Sequence, residues 1–525
     1  MELVPVTGKV YLAGAGPGDP GLITLRAAEC LAEADLVLYD GLVNPLLLRR
    51  AGGICERTAR TRRDGTTIVS QQEINERLIA EARAGKVVVR LKGGDPYIFG
   101  RGSEEAAALQ AAGIPFEVIP GITAATGAGE YAGFSFTHRE ISSAVAFVTG
   151  HEDPSREASR LDFDALARFP GTLVFYMGLN RLTEICRQLM AAGMPETTPA
   201  AVVCHASLAT QQVVEGTLAT IPLEASERQL KPPSLIVVGE CIRQRAQLSW
   251  FEQLPLFGVS IGVTRPEEQA DDVASQIVRM GGEPVIMPMI EVGPVTETEL
   301  PAIQEVLERL HEFQWLVFTS VNGVSEFFRH LRASGRDTRA LHAARIAAIG
   351  TSTASKLESF GIRADFVPAE FRAESLGTAL ADHAQGQTVL WVRASRGRDV
   401  LPKLLQDAGV RLEQLVVYEN RDVAAFSSDV VARLKSGTLQ WVGLSSPSIS
   451  RQFSQLLKLA EISPSELKTK IAAISSVTAR AAEDCGLAVQ CIARHSTWEG
   501  LLEAIVVSHQ SQFPLFLNLG TESPY

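Results

Sequence analysis

The stretch from Val87 to Gly102, VVVRLKGGDPYIFGRG, has the pattern of a strand that stops abruptly at two glycines. Its β-branched run predicts a buried strand, and the Gly-Gly-Asp-Pro that follows cannot continue one. Paired glycines at a strand end let a ligand approach the backbone, and ligands bind at that edge of open α/β sheets. An ordinary strand–turn–helix corner would carry the same glycines. The neighbouring Arg90 and Lys92 and the aromatic residues favour a binding edge.

The chain around this stretch alternates between strand and helix patterns. Ser103 is expected to cap the helix that follows Gly102. The alternation predicts a parallel α/β sheet, followed from Ser143 by a second α/β subdomain with longer strands. The predicted strands lie at 10–13, 35–39, 87–89, 144–149, 172–177, 200–205 and 234–238, the predicted helices at 24–34 and 71–84, and a hairpin at 210–220.

Two further glycine-containing turns lie in the first 130 residues. Gly14-Ala-Gly-Pro17-Gly18 contains G-x-G without the complete dinucleotide-binding spacing, and Pro17 follows its second glycine, so a Rossmann phosphate loop is not predicted. Pro120-Gly-Ile-Thr123-Ala124 opens a helix of small residues, where backbone N–H groups can face a ligand. Both turns remain candidates for contact with a ligand other than a dinucleotide.

Composition and charge exclude several classes of protein. The length of 525 residues is typical of three or four domains. A net charge of −11 argues against a general nucleic-acid binder. The seven cysteines form no CxxC pair, which predicts a reducing compartment and no metal site. No signal peptide or membrane-spanning run is recognisable, so we expect a soluble cytoplasmic protein without a membrane partner.

The second half contains an internal echo. WLVFTSVNGV at Trp315 resembles WVGLSSPSIS at Trp441, and AIGTSTASKL at Ala348 resembles AISSVTARAA at Ala473, at offsets of 126 and 125 positions. Each copy reads as a strand, a Ser/Thr-rich turn and a helix, which predicts two similar lobes with a cleft between them. We place the main domain boundary at 243–257, where helical periodicity is lost, and expect a disordered tail at 509–525.

These motifs resemble two known families. Residues 8–248 resemble uroporphyrinogen III C-methyltransferase, a tetrapyrrole methylase, through GAGPGDPGLITL, LVLYDGLV, VVRLKGGDPYIFGRG, PGITAATG, FSFTHR and TLVFYMGLN. Residues 257–508 resemble uroporphyrinogen III synthase through IGVTRP, WLVFTSVNGV, AAIGTSTA, VVYE and ISSVTARA. The implied α/β architecture is a methylase fold with subdomains at 8–140 and 141–248, followed by a two-lobed synthase fold. The methylase family also implies a homodimer formed through that half.

The methylase resemblance implies S-adenosylmethionine bound between the two subdomains. Asp40 corresponds to the family's general base, although an Asp-Gly pair alone is more often a turn. Arg62 stands where the family has a catalytic lysine, and its high pKa makes it a better carboxylate anchor than a proton donor. The family's pocket glycine is replaced here by Ala206. The implied cofactor contacts are Pro17, Gly93, Gly94, Asp95, Ile98, Thr123, Ala124, Met177 and Ala206.

The synthase resemblance implies hydroxymethylbilane as substrate. Tyr418 matches a tyrosine that the family places in its cleft, where it would assist departure of the hydroxyl, although a packed strand tyrosine fits the residues equally well. The expected substrate-binding residues of the two halves are Arg63, Arg90, Lys92, Ser320, Asn322, Thr351, Ser446 and Thr478. The combined prediction is an enzyme that converts a linear tetrapyrrole to precorrin-2 for sirohaem or cobalamin. The alternatives are a methylase of altered substrate or low activity, and a C-terminal half that only binds tetrapyrrole.

Overall fold

The structure is a computed structural model that describes residues 8–58, 70–150, 161–370, 373–396 and 400–510. These residues form four five-stranded sheets and divide into two compact units. One unit holds the chain up to Ile261, Asp272–Val285 and the chain from Leu502, and the other holds Gly262–Asp271 and Ile286–Leu501. No helix in the described ranges is long and apolar enough to cross a membrane.

The first sheet is parallel throughout, with strand order β3-β2-β4-β1-β5. Its strands are β1 Lys9–Gly14, β2 Leu36–Tyr39, β3 Ile54–Arg57, β4 Val87–Lys92 and β5 Phe116–Ile119. Its helices are α1 Leu25–Glu33, α2 Pro45–Leu48, α3 Gln71–Arg83, α4 Gly102–Ala111 and α5 Ala124–Ala132. Both faces of β1 are buried, because Leu12 packs towards α3 and Tyr11 towards α1. Continuous apolar strands of this kind are expected where helices cover both faces of a sheet.

Local chemistry explains where these helices begin. Thr24 caps α1 through a bond from the Ala27 N–H, and Ser70 with Glu73 forms a capping box at α3. The prediction that Ser103 caps α4 was wrong. The helix already begins at Gly102, and Arg101 precedes it in the left-handed region at φ 59°. Glycine at the first helical position tolerates the tight approach of Pro96, whose carbonyl accepts the Gly102 N–H at 2.9 Å.

The second sheet has the order β6-β7-β10-β8-β9 and is mixed: β6 runs parallel to β7, and the remaining pairs are antiparallel. The prediction of a hairpin within 210–220 is wrong in its bounds, because that segment contains a single strand, β9, which pairs with the preceding strand β8. Its strands are β6 Val145–Thr149, β7 Thr172–Tyr176, β8 Pro199–Cys204, β9 Gln212–Thr217 and β10 Ser234–Val238. Its helices are α6 Phe163–Ala167, α7 Leu182–Ala191, α8 Ile221–Glu227 and α9 Arg245–Leu248.

The segment predicted as a domain boundary, 243–257, is packed against α5. The Trp250 Nε1–H donates to the Glu130 carbonyl at 3.0 Å, and the Trp250 ring lies 5.1 Å from that of Tyr131. Arg245 donates to the Ala132 carbonyl and pairs with Glu252. Loss of periodicity therefore marks an irregular connector that is fixed to the first unit by aromatic packing and hydrogen bonds.

The remaining strands form the third sheet, β12-β11-β18-β19-β20, and the fourth, β13-β17-β16-β14-β15. The strands are β11 Ser260–Val263, β12 Glu283–Ile286, β13 Ile290–Gly293, β14 Trp315–Phe318, β15 Arg345–Ala348, β16 Thr388–Ala394, β17 Arg411–Asp422, β18 Trp441–Leu444, β19 Lys470–Ala473 and β20 Val489–Ile492. The helices are α10 Asp271–Arg279, α11 Leu300–Glu308, α12 Val321–Ala333, α13 Thr351–Glu358, α14 Ala373–His383, α15 Val400–Asp407, α16 Ser428–Ser436, α17 Pro447–Leu459, α18 Ser476–Glu483 and α19 Trp498–Gln510.

The internal echo corresponds to matching strand–cap–helix units in these two sheets. Ser320 caps α12 after β14, and Ser446 caps α17 after β18, with φ of −161° and −164°. Each serine accepts a hydrogen bond from the backbone N–H three residues further on, Gly323 or Ile449. The predicted two-lobed α/β fold is thus confirmed. Residues 509 and 510 end α19, which corrects the expected start of the tail, and 511–525 lie outside the described residues.

Candidate functional site

Four glycines bring the ends of β1, β4 and β5 close together. The Gly94 N–H donates to the Gly16 carbonyl at 2.8 Å, and the Gly16 N–H returns a bond of 3.2 Å. A Cβ on Gly121 would lie 2.3 Å from the Gly94 oxygen and 2.7 Å from the Gly14 Cα. Because these neighbours are backbone atoms, only glycine fits, and the edge presents bare backbone to whatever lies above it.

Asp95 fixes the loop that follows these glycines. Its Oδ1 accepts the N–H groups of Tyr97 at 2.8 Å and Ile98 at 3.2 Å, and its Oδ2 accepts that of Gly121 at 3.0 Å. The carboxylate therefore ties the loop after β4 to the turn before α5. Asp95 also lines the cavity described below.

A cavity of about 580 Å³ lies between the first two sheets, within one unit of the chain. This volume is typical of small-ligand sites. The general-base candidate Asp40 lines it as well. All of the expected cofactor contacts are brought together here: Pro17, Gly93, Gly94, Asp95, Ile98, Thr123, Ala124, Met177 and Ala206.

Several cavity residues were missed from sequence. The Tyr176 hydroxyl lies 2.6 Å from Thr123 Oγ1 and accepts the Ala125 N–H at 3.0 Å, so it joins β7 to the start of α5. Burial raises the pKa of Tyr176 and lowers that of His205, so both are neutral near pH 7. The position of Tyr176, directly before Met177 at the end of a fully buried strand, was the available signal.

Three of the cavity's side chains stand on left-handed backbone. Phe99, Met177 and His205 have φ values of 52°, 56° and 49°. Non-glycine residues adopt this region at a cost of about 1–3 kcal/mol, and such residues cluster at functional sites. The backbone here directs large side chains into the cavity at the expense of local stability.

Asp40 is held from below by a buried guanidinium. Arg90 donates from Nη2 to Asp40 Oδ1, and Thr58 Oγ1 donates to the same oxygen at 3.2 Å. The Arg90 Nε–H donates to Glu105 Oε1 at 3.1 Å, and Lys92 Nζ donates to that oxygen at 3.0 Å.

The expectation that Arg90 and Lys92 contact substrate directly is corrected by their burial. Arg90 is fully buried, and Lys92 is 1% exposed. Burial, reinforced by the neighbouring Arg90 charge, lowers the pKa of Lys92 against the opposing pull of Glu105 and Asp40. Both cations therefore act beneath the cavity. Arg62 and Arg63 fall outside the described residues, and their roles stay predictions.

Tyr418 and Ser320, two separate candidate residues of the second half, lie side by side. Tyr418, near the end of β17, is 5% exposed, and its hydroxyl lies 2.9 Å from the Ser320 Oγ. Burial raises the pKa of Tyr418, so its phenol keeps its proton near neutral pH and can donate it. Asn322 lies partly exposed in the first turn of α12, next to this pair.

The remaining predicted substrate contacts lie at other helix starts. Thr351 is exposed at the first position of α13, and Ser446 is partly exposed at the cap of α17. Thr478 corrects the prediction of a carboxylate contact, because it is 1% exposed and its hydroxyl lies 3.1 Å from Ser475 Oγ inside the first turn of α18. In the same turn the cap residue Ser475 is partly exposed and Ser476 is exposed, so these hydroxyls are more accessible than that of Thr478.

Comparisons with known proteins assign the N-terminal and C-terminal halves of the chain to two different families. Residues 9–222 match the family of tetrapyrrole (corrin/porphyrin) methylases, and residues 271–503 match uroporphyrinogen-III synthase HemD. The porphyrin biosynthesis protein HemD of Ruminiclostridium josui is 34% identical over 502 residues, 95% of this chain and 98% of that protein. The uroporphyrinogen-III C-methyltransferase of Bacillus subtilis is 38% identical over 359 residues, 68% and 73% of the two chains.

Solved structures include the Thermus thermophilus uroporphyrin-III C-methyl transferase complexed with S-adenosyl homocysteine. That protein is 38% identical to the part of the chain it matches, with a TM-score of 0.39, and the match covers 45% of this chain and 99% of that one.

Proposed function

Because this chain belongs to the family of proteins that join a tetrapyrrole methylase to a uroporphyrinogen-III synthase, we propose that it is a bifunctional enzyme of tetrapyrrole biosynthesis. The C-terminal half cyclises hydroxymethylbilane to uroporphyrinogen III. The N-terminal half methylates that product at carbons 2 and 7 to give precorrin-2, which feeds sirohaem or cobalamin synthesis. The observation that carries the methylase proposal is the single cavity where all nine expected cofactor contacts meet Asp40.

The cavity suits S-adenosylmethionine in size and in chemistry. Gly93 and Gly94 line the cavity without side chains, which leaves room for a flat adenosyl group, and Met177 and Ile98 supply apolar lining. Ala206 also lines the cavity, so its methyl group adds surface where the family has a glycine. S-adenosylmethionine supplies the transferable methyl group when bound.

Asp40 is proposed to accept the proton that leaves the substrate. Methylation of a ring carbon leaves that ring with one proton too many, and a carboxylate at a strand end beside the donor site can take it. Asp40 lines the cavity and is 19% exposed, so it is accessible yet held by Arg90 and Thr58. Arg62 is proposed to anchor a substrate carboxylate, for which a guanidinium is well suited.

In the synthase half, Tyr418 is proposed to donate a hydrogen bond to the departing hydroxyl. Its raised pKa keeps it a donor, and Ser320 orients it from the start of α12. The rest of the reaction requires only that the chain be held folded so that the correct carbon attacks. The polar groups at the starts of α12, α13 and α17, which are exposed or partly exposed, are suited to holding acidic side chains of the substrate.

The methylase proposal is tested by counting methyl groups. Purified protein is incubated with uroporphyrinogen III and methyl-labelled S-adenosylmethionine, and the product is analysed by mass. We expect two added methyl groups, and none with Asp40→Asn, while calorimetry finds that S-adenosylhomocysteine still binds that variant. Failure of the unaltered protein to transfer methyl groups, with the homocysteine analogue bound, would favour the alternative of a methylase with altered substrate or low activity.

The synthase proposal is tested by the isomer that forms from hydroxymethylbilane. The spontaneous product is uroporphyrinogen I, so an excess of isomer III demonstrates catalysis. A C-terminal half that only binds tetrapyrrole would retain hydroxymethylbilane and leave the isomer ratio unchanged. Tyr418→Phe tests the role of the phenol, because it removes the hydroxyl and should lower the yield of isomer III.

The homodimer remains a proposal supported by one surface. Ile141, Val145 and Phe147 are 42%, 36% and 36% exposed on or beside β6, which lies at an edge of the second sheet. Apolar side chains on an unpaired edge strand are suited to contact with a second copy. Sedimentation equilibrium of the full chain and of Phe147→Glu distinguishes a dimer formed there from a monomer.

A further inference from the structure

Four charged groups form a buried network beneath the cavity. Arg90 and Glu105 are fully buried, Lys92 is 1% exposed, and the Asp40 side chain alone reaches the cavity, at 19% exposure. Two carboxylates and two cations leave the network electrically neutral. Charges this deep are expected only when they are paired, because the desolvation of each one is costly.

Arg90 connects the two carboxylates across the sheet. Its Nε–H donates to Glu105 on α4 and its Nη2 to Asp40 after β2, while Nη1 donates to the Leu38 carbonyl at 3.2 Å and the Leu91 carbonyl at 3.4 Å. Every nitrogen of the planar guanidinium is therefore engaged, which fixes its orientation. A lysine ammonium could not span the same partners, because it is a compact charge on a flexible stem.

The contacts of Glu105 indicate that this network does more than stabilise the fold. Three donors, from Arg90, Lys92 and Gln71, converge on its Oε1, and its Oε2 has no partner among the described residues. A buried carboxylate oxygen without a partner is destabilising, and an apolar core of the same volume would usually be at least as stable. The arrangement is better explained by the constraint it places on Arg90.

We propose that Arg90, braced by Glu105, is a positioning residue that keeps the Asp40 carboxylate ionised and aimed into the cavity; this rests on the proposed function of Asp40 as proton acceptor. The cation stabilises the charged form of the carboxylate, and the guanidinium fork fixes the orientation of a carboxylate that lines the cavity. Lys92 compensates the second negative charge, that of Glu105. Another described charge near Asp40 is Arg57, whose guanidinium lies beside the adjoining Gly41.

The test compares the pH dependence of methyl transfer in four variants of the full chain. Arg90→Lys keeps the charge and removes the bridge, Arg90→Met removes both, and Glu105→Gln weakens the brace. Asp40→Asn reports the proton acceptor itself. Arg187→Met is the matched control, since Arg187 forms an exposed pair with Glu184 on α7, away from the cavity. Thermal melting and calorimetric binding of S-adenosylhomocysteine are measured for every variant.

We expect Arg90→Met to move the acidic limb of the pH–rate profile upward by about 1–3 pH units, the effect of removing an adjacent cation from a carboxylate. Its rate at neutral pH should fall by about 10²-fold or more, as for loss of a positioned base. Arg90→Lys and Glu105→Gln should give smaller effects in the same directions. Affinity for S-adenosylhomocysteine should stay within about twofold in the Arg90 and Glu105 variants, because neither residue lines the cavity.

Each contrary outcome overturns a separate part of the reasoning. If Asp40→Asn keeps methyl transfer, the assignment of the proton acceptor fails, and the positioning role fails with it. If Asp40→Asn is inactive but the Arg90 variants keep the native pH profile, only the positioning role fails, even where they melt at lower temperature. Should Arg90→Met not fold, the Arg90→Lys and Glu105→Gln profiles decide by the same criterion.

Discussion

Replacing Gly121 by alanine should separate the three strand ends on which the cavity rests. The new Cβ would lie 2.3 Å from the Gly94 oxygen, 2.7 Å from the Gly14 Cα and 2.9 Å from the Gly14 carbonyl carbon. Carbon atoms in contact settle at about 3.5–4.0 Å. The backbone must therefore give way by about 1 Å, and no flexible side chain is available to absorb the change.

The expected cost follows from that displacement. Overpacking in a core costs about 1–3 kcal/mol, and rigid backbone neighbours place this substitution at the upper end. For a domain of this half's size, about 3 kcal/mol corresponds to a fall in melting temperature of about 6–12 °C. Misplacement of a ligand-facing edge by about 1 Å can lower the rate about 10²-fold, so methyl transfer should fall more than stability alone would require.

Differential scanning calorimetry, S-adenosylhomocysteine titration and methyl transfer measure these effects together. Gly293→Ala is the matched control, because a Cβ there meets no atom within 4 Å and should leave all three measurements unchanged. Gly121→Ala could instead melt within about 2 °C of the native protein, which corresponds to a destabilisation of less than about 1 kcal/mol, and bind the analogue normally. That result would show that close contact among the glycines does not constrain the cavity.

Three further predictions concern other parts of the chain. Burial lowers the pKa of His205 and His330, so the stability that they contribute above the unfolded pKa of about 6.5 should be lost as pH falls. His205→Gln and His330→Gln should therefore reduce the fall in melting temperature between pH 7.5 and about pH 5.5. Curves of melting temperature against pH that run parallel to that of the native protein would exclude this. Ser320→Ala leaves the Tyr418 hydroxyl without its serine partner and should cost about 1–3 kcal/mol in denaturant unfolding, with a lower yield of isomer III; an unchanged midpoint would contradict it. Trp250→Ala should cost about 1–2 kcal/mol, less than truncation of a fully buried tryptophan, because Trp250 is 48% exposed although its ring packs on α5. A melting temperature equal to that of the native protein would mean that the packing of Trp250 adds no stability.

Local sequence pattern predicted the elements of this chain better than it predicted the roles of their charged residues. The strand ending at Gly93-Gly94 and the loop at Pro17 were recognisable because glycine and proline restrict the backbone wherever they occur. Arg90 and Lys92 looked like surface cations, since nothing in a strand sequence shows that a glutamate from the following helix will cover them. That pairing depends on the packing of α4 over β4, a tertiary property.

The same limit applies to the helix starts. Ser103 has the right chemistry for a cap, but the Pro96 carbonyl already holds the Gly102 N–H, so the helix begins earlier. Likewise Thr478 has a hydroxyl suited to binding a carboxylate, but the residue is buried and its hydroxyl is not accessible to substrate. In both cases the chemistry of the side chain suggested the role, but the tertiary contacts that prevent it cannot be deduced from the sequence.

The left-handed backbone at Phe99, Met177 and His205 has a consequence for how this protein can change over evolutionary time. Glycine at any of the three would relieve strain of about 1–3 kcal/mol and is a single substitution that selection for heat resistance would reward. Each such change would also delete a side chain from the cavity wall. Thermal adaptation and ligand recognition therefore compete for the same three positions, and a thermostable descendant that keeps its activity should have gained its stability elsewhere.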